Sequence, residues 1–344
     1  MDLPIAPPFA PMEAETAPTL PPDRGWQYEP KWDGFRCLAF RDGDEVYLQS
    51  KAGKPIGRYF PDVVDSVAAL RSRRFVLDGE IVIPVDGRLS FDELLLRVHP
   101  AASRVRTLVE AHRARFMVFD LLVDSRGHSL VTLPLSARRK RLEAFARTNL
   151  RGKAVVLSRA TRQIRTARAW LEGGGDGDLD GVIAKRLDLP YRSAERDGMV
   201  KVKRRRTADC VVGGFRYASK ERVVGSLLLG LYDENGLLNH VGFCSSLSGA
   251  ERRALTPRLE RLQTAPGFTG RAPGGPSRWS TERTSEWVPL APKLVVEVGY
   301  DHVTGGRFRH GTSFLRWRPD KAPKQCTLQQ LERPGTVRQR AQAP

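Results

Sequence analysis

From Trp26 to Tyr300 the chain runs in short apolar stretches broken by glycine and aspartate. That punctuation constrains its fold more than any other feature. Apolar runs at 37–40 and 46–49 flank Asp42-Gly43-Asp44, a pairing that reverses a chain between two strands. Runs at 75–77 and 81–85 lie either side of Asp78-Gly79-Glu80, and Asp86-Gly87 then turns the chain. Residues 116–122 read as a buried strand, and 181–185 and 200–203 as further strands. Helical spacing appears at 60–70 (Phe60, Val63, Val64, Val67, Leu70), at 91–96, and at 136–149 with Leu142 and Phe145 inward.

The basic run Lys203-Arg204-Arg205-Arg206 marks a boundary. Beyond it, apolar runs at 210–215, 223–232, 237–243 and 295–300 surround a helical stretch at 249–262. Five or so strands and one helix in about 120 residues fit a small Greek-key barrel such as an OB-fold. The predicted class is therefore α+β: antiparallel sheets with helices over 25–204, then a β-barrel OB-fold domain over 207–327. Residues 1–24 hold seven prolines and read as an extended lead-in without a core. Gly173-Gly174-Gly175-Asp176-Gly177 reads as a flexible loop, 265–285 as an exposed loop, and 328–344 as a frayed polar tail.

With 344 residues the chain has room for two cores. Its 57 Lys+Arg against 39 Asp+Glu leave a net charge of +18, which points to a polyanionic partner, either nucleic acid or an anionic membrane. No apolar run approaches the roughly 20 residues that span a bilayer, and the N-terminus lacks a secretory pattern, so nucleic acid is favoured. Cys37, Cys210, Cys244 and Cys326 are scattered without zinc or disulfide-scaffold spacing, which fits reduced thiols in the cytosol. Between 136 and 168 stand eleven Lys+Arg and one acidic residue, Glu143. A solvated helix face and a contact with a phosphate backbone fit that run equally well.

The candidate reactive residue is Lys31, in Glu29-Pro30-Lys31-Trp32-Asp33-Gly34-Phe35-Arg36. In an extended segment Lys31 and Asp33 face the same way, Gly34 permits a turn or a close backbone approach, and Arg36 supplies a planar fork for phosphate or ribose oxygens. A lysine amine becomes a nucleophile when it loses its proton, and neighbouring cations favour that loss.

Lys-x-Asp-Gly-x-Arg resembles the nucleotidyl-attachment motif of the covalent nucleotidyltransferases: ATP-dependent DNA ligases, RNA ligases and capping guanylyltransferases. Further motifs of that superfamily follow in order. Ser50-Lys51 resembles a segment in which Arg usually follows Ser. Asp78-Gly79-Glu80-Ile81-Val82, Phe119-Asp120-Leu121-Leu122, Asp180-Gly181-Val182-Ile183-Ala184-Lys185 and Met199-Val200-Lys201-Val202-Lys203 resemble the next four, with Asp180 where many members have Glu and Met199 where an aromatic is common. Arg318-Pro319-Asp320-Lys321 matches the Arg-x-Asp-Lys core of the last, which lies in the OB domain. Together these segments span residues 29–321.

The chain most resembles the compact bacterial ATP-dependent DNA ligases. That resemblance implies a Lys31–AMP intermediate and sealing of 5′-phosphate/3′-hydroxyl breaks in nicked or broken duplex DNA, in DNA repair. It assigns Glu29 and Phe119 to adenine, Glu80 and Arg36 to ribose, and Lys51, Lys185, Arg196, Lys201 and Lys203 to the phosphates. Glu80 and Asp180 would hold Mg²⁺ (or Mn²⁺), and Arg318 and Lys321 the departing pyrophosphate. The large multidomain ligases carry a helical DNA-binding domain for which there is no room before Lys31. The expected protein is a monomer in the cytoplasm, associated with the nucleoid, with repair partners such as a Ku-like end binder or a polymerase. An RNA ligase, a GTP-selective capping enzyme and a non-catalytic DNA-binding protein on the same scaffold are the rival readings.

Overall fold

The computed structural model describes residues 1–22, 24–99, 101–172, 179–204, 206–274 and 286–331. The glycine-rich stretch 173–177, the loop residues 275–285 and the tail beyond 331 lie outside them. The chain forms two compact units, residues 1–204 and 205–344.

In the first unit the strands are β1 (Glu15–Thr16), β2 (Trp26–Lys31), β3 (Phe35–Asp42), β4 (Glu45–Ser50), β5 (Arg74–Val82), β6 (Pro84–Val85), β7 (Arg88–Leu89), β8 (Arg115–Val123), β9 (Val155–Leu157), β10 (Gly181–Arg186) and β11 (Met199–Lys203). Among them lie helices α1 (Pro61–Ala68), α2 (Phe91–Arg97), α3 (Ala102–Ala111), α4 (Leu135–Asn149) and α5 (Ile164–Glu172). A five-stranded sheet runs β4-β3-β5-β8-β9, and a four-stranded sheet runs β1-β11-β10-β2.

Both faces of the larger sheet are buried, and alternation along β3 shows how. Cys37 and Ala39 enter a core with Val63 and Val67 of α1 and Leu142 and Phe145 of α4, whereas Leu38 and Phe40 enter a second with Val76, Leu122, Tyr191 and Met199. A third cluster packs Tyr28, Val182 and Ala184 of the smaller sheet against Ala167 and Trp170 of α5.

Three expectations for this unit are corrected. Asp78-Gly79-Glu80 does not break a strand, because β5 runs unbroken from Arg74 to Val82. Asp78 is buried against Arg36, and a side chain at Gly79 would meet the Met117 carbonyl oxygen and the Phe116 ring at 2.6 Å, so both residues are core-facing rather than turn-forming. The basic run on α4 is partly internal: Arg138 is buried and holds both oxygens of buried Asp120 at 2.9 Å, while Arg139 pairs with Glu143 at 2.8 Å. The lead-in is also no coreless tail. Met12 is buried, Leu3, Ile5, Phe9 and Ala14 pack against the same cluster, and β1 pairs with β11 in parallel. Proline forbids helix here but leaves the alternate apolar side chains free to pack on a neighbouring sheet.

The second unit holds β12 (Arg206–Tyr217), β13 (Val224–Tyr232), β14 (Leu238–Cys244), β15 (Val288–Pro289), β16 (Val295–Tyr300), β17 (Val303–Thr304), β18 (Arg307–Phe308) and β19 (Ser313–Trp317), with helix α6 (Gly249–Glu260). Ser248 and Glu251 cap α6 reciprocally, and Leu255 and Leu259 seat it on the core. The main path, β14-β13-β12-β16-β19, is antiparallel throughout. Among the described residues its two ends meet through one parallel bridge, Cys244–Thr312, rather than a closing ladder.

Two stretches read as solvated are structural here. Phe268, in the supposed exposed loop, is buried, edge-on to His240 and Trp287, and fills the space left by Gly213 and Gly230. Leu328 and Leu331 pack on the core, and Gln330 bonds the Asp209 backbone at both its N–H and its carbonyl, each at 3.0 Å.

Candidate active site

β2 and β10 pair antiparallel, setting Lys31 opposite Gly181, Glu29 opposite Ile183 and Gln27 opposite Lys185. Lys31 ends β2, the chain bends through Asp33-Gly34, and β3 begins at Phe35. The two residues therefore do not share a strand face, as extended geometry would have it. Instead the Lys31 ammonium pairs with the carboxylate of Asp180, whose N–H donates to the Lys31 carbonyl at 3.0 Å. A side chain at position 34 would collide with the Ile81 carbonyl and the Glu80 side chain. Glycine here allows the close backbone approach that brings Glu80 towards Lys31.

The Arg36 fork is spent within the protein. Its Nε and Nη2 donate to the two oxygens of Asp78, both at 2.6 Å, and Nη2 also reaches the Met12 carbonyl at 3.3 Å. Tyr191 donates its hydroxyl proton to Asp78 at 2.7 Å and accepts the Met12 N–H at 3.0 Å. Burial lowers the Arg36 pKa, but the Asp78 carboxylate outweighs it and the net shift is upward. Burial, helped by Asp78, also pushes the Tyr191 hydroxyl well up. The Arg36 guanidinium lies 4.6 Å and the Lys185 ammonium 4.3 Å from the centre of the Phe119 ring. Lys185 also pairs with Glu29 at 2.7 Å, and Glu29 accepts from Gln27 at 2.8 Å.

Cations crowd one side. Burial and then the charges of Lys31, Lys203, Lys51 and Arg196 hold the Lys201 amine below its ordinary pKa. Burial pushes the Glu80 carboxyl up to about 7, against the opposing pull of Arg36 and Lys31. The resulting pocket is lined by Glu29, Lys31, Arg36, Lys51, Glu80, Phe119, Lys185 and Lys201, eight of the residues singled out from the sequence. Asp180 is tied to it through Lys31. Arg196 and Lys203 do not line it but lie close enough to act on Lys201 electrostatically. Pro11, Met12, Glu13, Ala14, Pro30, Trp32, Ile183 and Met199 complete the lining. Period-two alternation with Lys185 and Lys201 marks Ile183 and Met199, whereas nothing local in a proline-rich stretch marks residues 11–14.

Arg318 and Lys321 belong to the second unit. Both hold Asp209 at 2.8 Å, and Arg318 also holds Asp320 at 2.8 Å. The Arg318 contact depresses the Asp320 carboxyl to about 2.

A lysine in a pocket that also holds an aromatic ring and a bank of cations is equipped for nucleotidyl transfer. The model of the ATP dependent DNA ligase domain matches residues 11–203, and that of the ATP dependent DNA ligase C terminal region matches 220–321. The chain belongs to the ATP-dependent DNA ligase family. Within it, the chain is 44% identical to DNA ligase C1 of Mycolicibacterium smegmatis, over 97% of each chain. It is 43% identical to DNA ligase C of Mycobacterium tuberculosis, over 98% of this chain and 97% of that one. It also resembles the crystal structure of the ligase domain of M. tuberculosis LigD, with 28% identity, a TM-score of 0.50, and coverage of 93% of this chain and 98% of that one. It is an ATP-dependent DNA ligase, with ATP as co-substrate and DNA as substrate. No described helix is long and apolar enough to cross a membrane.

Proposed function

We propose that Lys31 carries the adenylate. The observation behind this reading is its place at the end of β2, lining a pocket that Lys51, Lys185 and Lys201 share. In the first step the unprotonated Lys31 Nζ attacks the α-phosphorus of ATP, a P–N bond forms, the bond to the β-phosphate oxygen breaks, and pyrophosphate leaves. Asp180, which holds the Lys31 ammonium in the free protein, orients it and is the nearest acceptor for its proton. AMP then passes to a 5′-phosphate, and attack by the 3′-hydroxyl seals the strand and releases AMP.

The remaining roles follow the pocket. Phe119 offers its ring, and Glu29 its carboxylate, to adenine. Glu80 faces the ribose, and Arg36, already committed to Asp78, would have to release that carboxylate to reach it. Lys51, Lys185, Arg196, Lys201 and Lys203 neutralise phosphate charge, and Arg318 and Lys321 of the second unit orient the pyrophosphate. For the nucleotide and Lys185 to meet, the Lys185–Glu29 pair must open.

Glu80 and Asp180 fit a metal that arrives with the triphosphate, since Mg²⁺ is commonly held by one or two carboxylates plus phosphate and water. Among the described residues no group of three acidic, histidine or cysteine side chains forms a preassembled cage. Bound Mg²⁺ or Mn²⁺ would neutralise charge on the phosphates.

Residues 25–204 serve as the adenylation domain, extended by residues 11–16 with the short strand β1, and 207–327 as the OB domain. The relatives named LigD are described as non-homologous end joining proteins, which supports a place in DNA repair. Nicked or broken duplex DNA, a Ku-like end binder and a polymerase are the partners proposed for a monomeric enzyme that works in the cytoplasm at the nucleoid.

The test is incubation with Mg²⁺ and ATP labelled at the α-phosphate, followed by a chase with nicked duplex. Label that becomes fixed on Lys31 and is lost as the nick seals supports the reading. Label that moves only to nicked RNA replaces the DNA substrate, and no label at all sinks the Lys31 assignment.

A further inference from the structure

The pocket wall made by residues 11–14 places one carboxylate among the phosphate-site cations. Glu13 Oε2 accepts from Arg196 Nε at 3.2 Å and forms ion pairs with Arg196 Nη2 at 2.9 Å and Lys51 Nζ at 3.2 Å. One oxygen facing three nitrogens of two cations reproduces the surroundings of a non-bridging phosphate oxygen. The hydrogen bond from Lys51 is the main influence holding the Glu13 carboxyl below its ordinary range, so it is an anion at neutral pH.

Its backbone has little freedom to retreat. Met12 is tied to Tyr191 and Arg36, Glu13 N–H donates to the Glu195 carbonyl at 2.9 Å, and Glu15–Thr16 pair with Val200–Lys201. Its partners are solvent-exposed by contrast: the Lys51 and Arg196 side chains are 60% and 68% exposed. Ion pairs of that kind are screened and exchange readily.

We propose that Glu13 is an internal stand-in for the outer phosphates of ATP. It gathers Lys51 and Arg196 in the free site, gives them up when the β- and γ-phosphates enter, and reclaims them as pyrophosphate leaves. The inference rests on the ATP reading of this pocket. Its consequence is a weaker hold on both triphosphate and pyrophosphate than the cations alone would give.

The experiment compares wild type with Glu13→Gln, which keeps shape and removes charge. Formation of Lys31–AMP is followed against ATP concentration, and its reversal against pyrophosphate. In the variant the KM for ATP and the half-reversing pyrophosphate concentration should each fall about three- to tenfold, while the Kd for AMP, which lacks both outer phosphates, stays put. The fall should vanish in a Lys51→Ala/Arg196→Ala background. An unchanged or raised KM overturns the proposal. So does a raised Mg²⁺ requirement, which would make Glu13 a metal-holding group, or an equal shift for AMP, which would make the wall merely structural. Wild type that forms no Lys31–AMP defeats the underlying reading instead, so the two failures are distinguishable.

Discussion

Lys31 and Glu80 meet the same demand within one pocket, the loss of a proton. Lys31 has to lose a proton to attack, and Lys31→Ala or Lys31→Arg should abolish label transfer from ATP, because no other amine occupies the end of β2. Glu80 has to lose one to serve as a carboxylate. With its pKa raised to about 7 from an ordinary 4.5, the folded protein binds more protons than the unfolded chain between those values. Glu80 thus contributes stability that is complete below about pH 4.5 and is lost as pH rises through 7. Glu80→Gln should flatten that decline, on the order of 2–3 kcal/mol between pH 5 and 8 by denaturant unfolding. Parallel pH curves for the two proteins would show that Glu80 does not titrate there.

Among the elements, α4 shows how charge can mislead. Its basic run resembles a phosphate-binding face, yet Arg138 turns inward to Asp120. Arg138→Met strands that buried carboxylate and should cost about 3–5 kcal/mol of unfolding free energy, most of it recovered by adding Asp120→Leu. A loss under 1 kcal/mol would mean water reaches the pair. β5 gives the same lesson for Asp78-Gly79-Glu80. Local propensity reads a turn, whereas the sheet uses aspartate to anchor Arg36 and glycine to let β8 close in. Hairpin β3–β4 was legible because Asp42-Gly43-Asp44 is a local signal. The lead-in was not, because its role depends on β11, far along the chain.

For the whole molecule, +18 of net charge predicts that nick affinity falls by roughly tenfold or more between 50 and 200 mM salt, measured by anisotropy on a nicked duplex. A flat response would remove phosphate contacts as the main source of affinity. Arg318→Ala and Lys321→Ala should slow Lys31–AMP formation at least about tenfold more than they slow sealing of a pre-adenylated nick, as expected of groups acting on pyrophosphate. Equal slowing of both steps would move them to a general role. By itself the sequence determined the α+β class, the order of the motifs and most of the pocket's polar residues, because turns, alternation and reactive side chains are written locally. Only the tertiary structure decided that Lys31 pairs with Asp180 rather than Asp33, that Arg36 is committed to Asp78, and that residues 11–14 wall the site. Lys31 and Asp180 lie 149 residues apart in sequence and Glu13 and Arg196 183, and which carboxylate meets which cation depends on strand pairings between such distant segments.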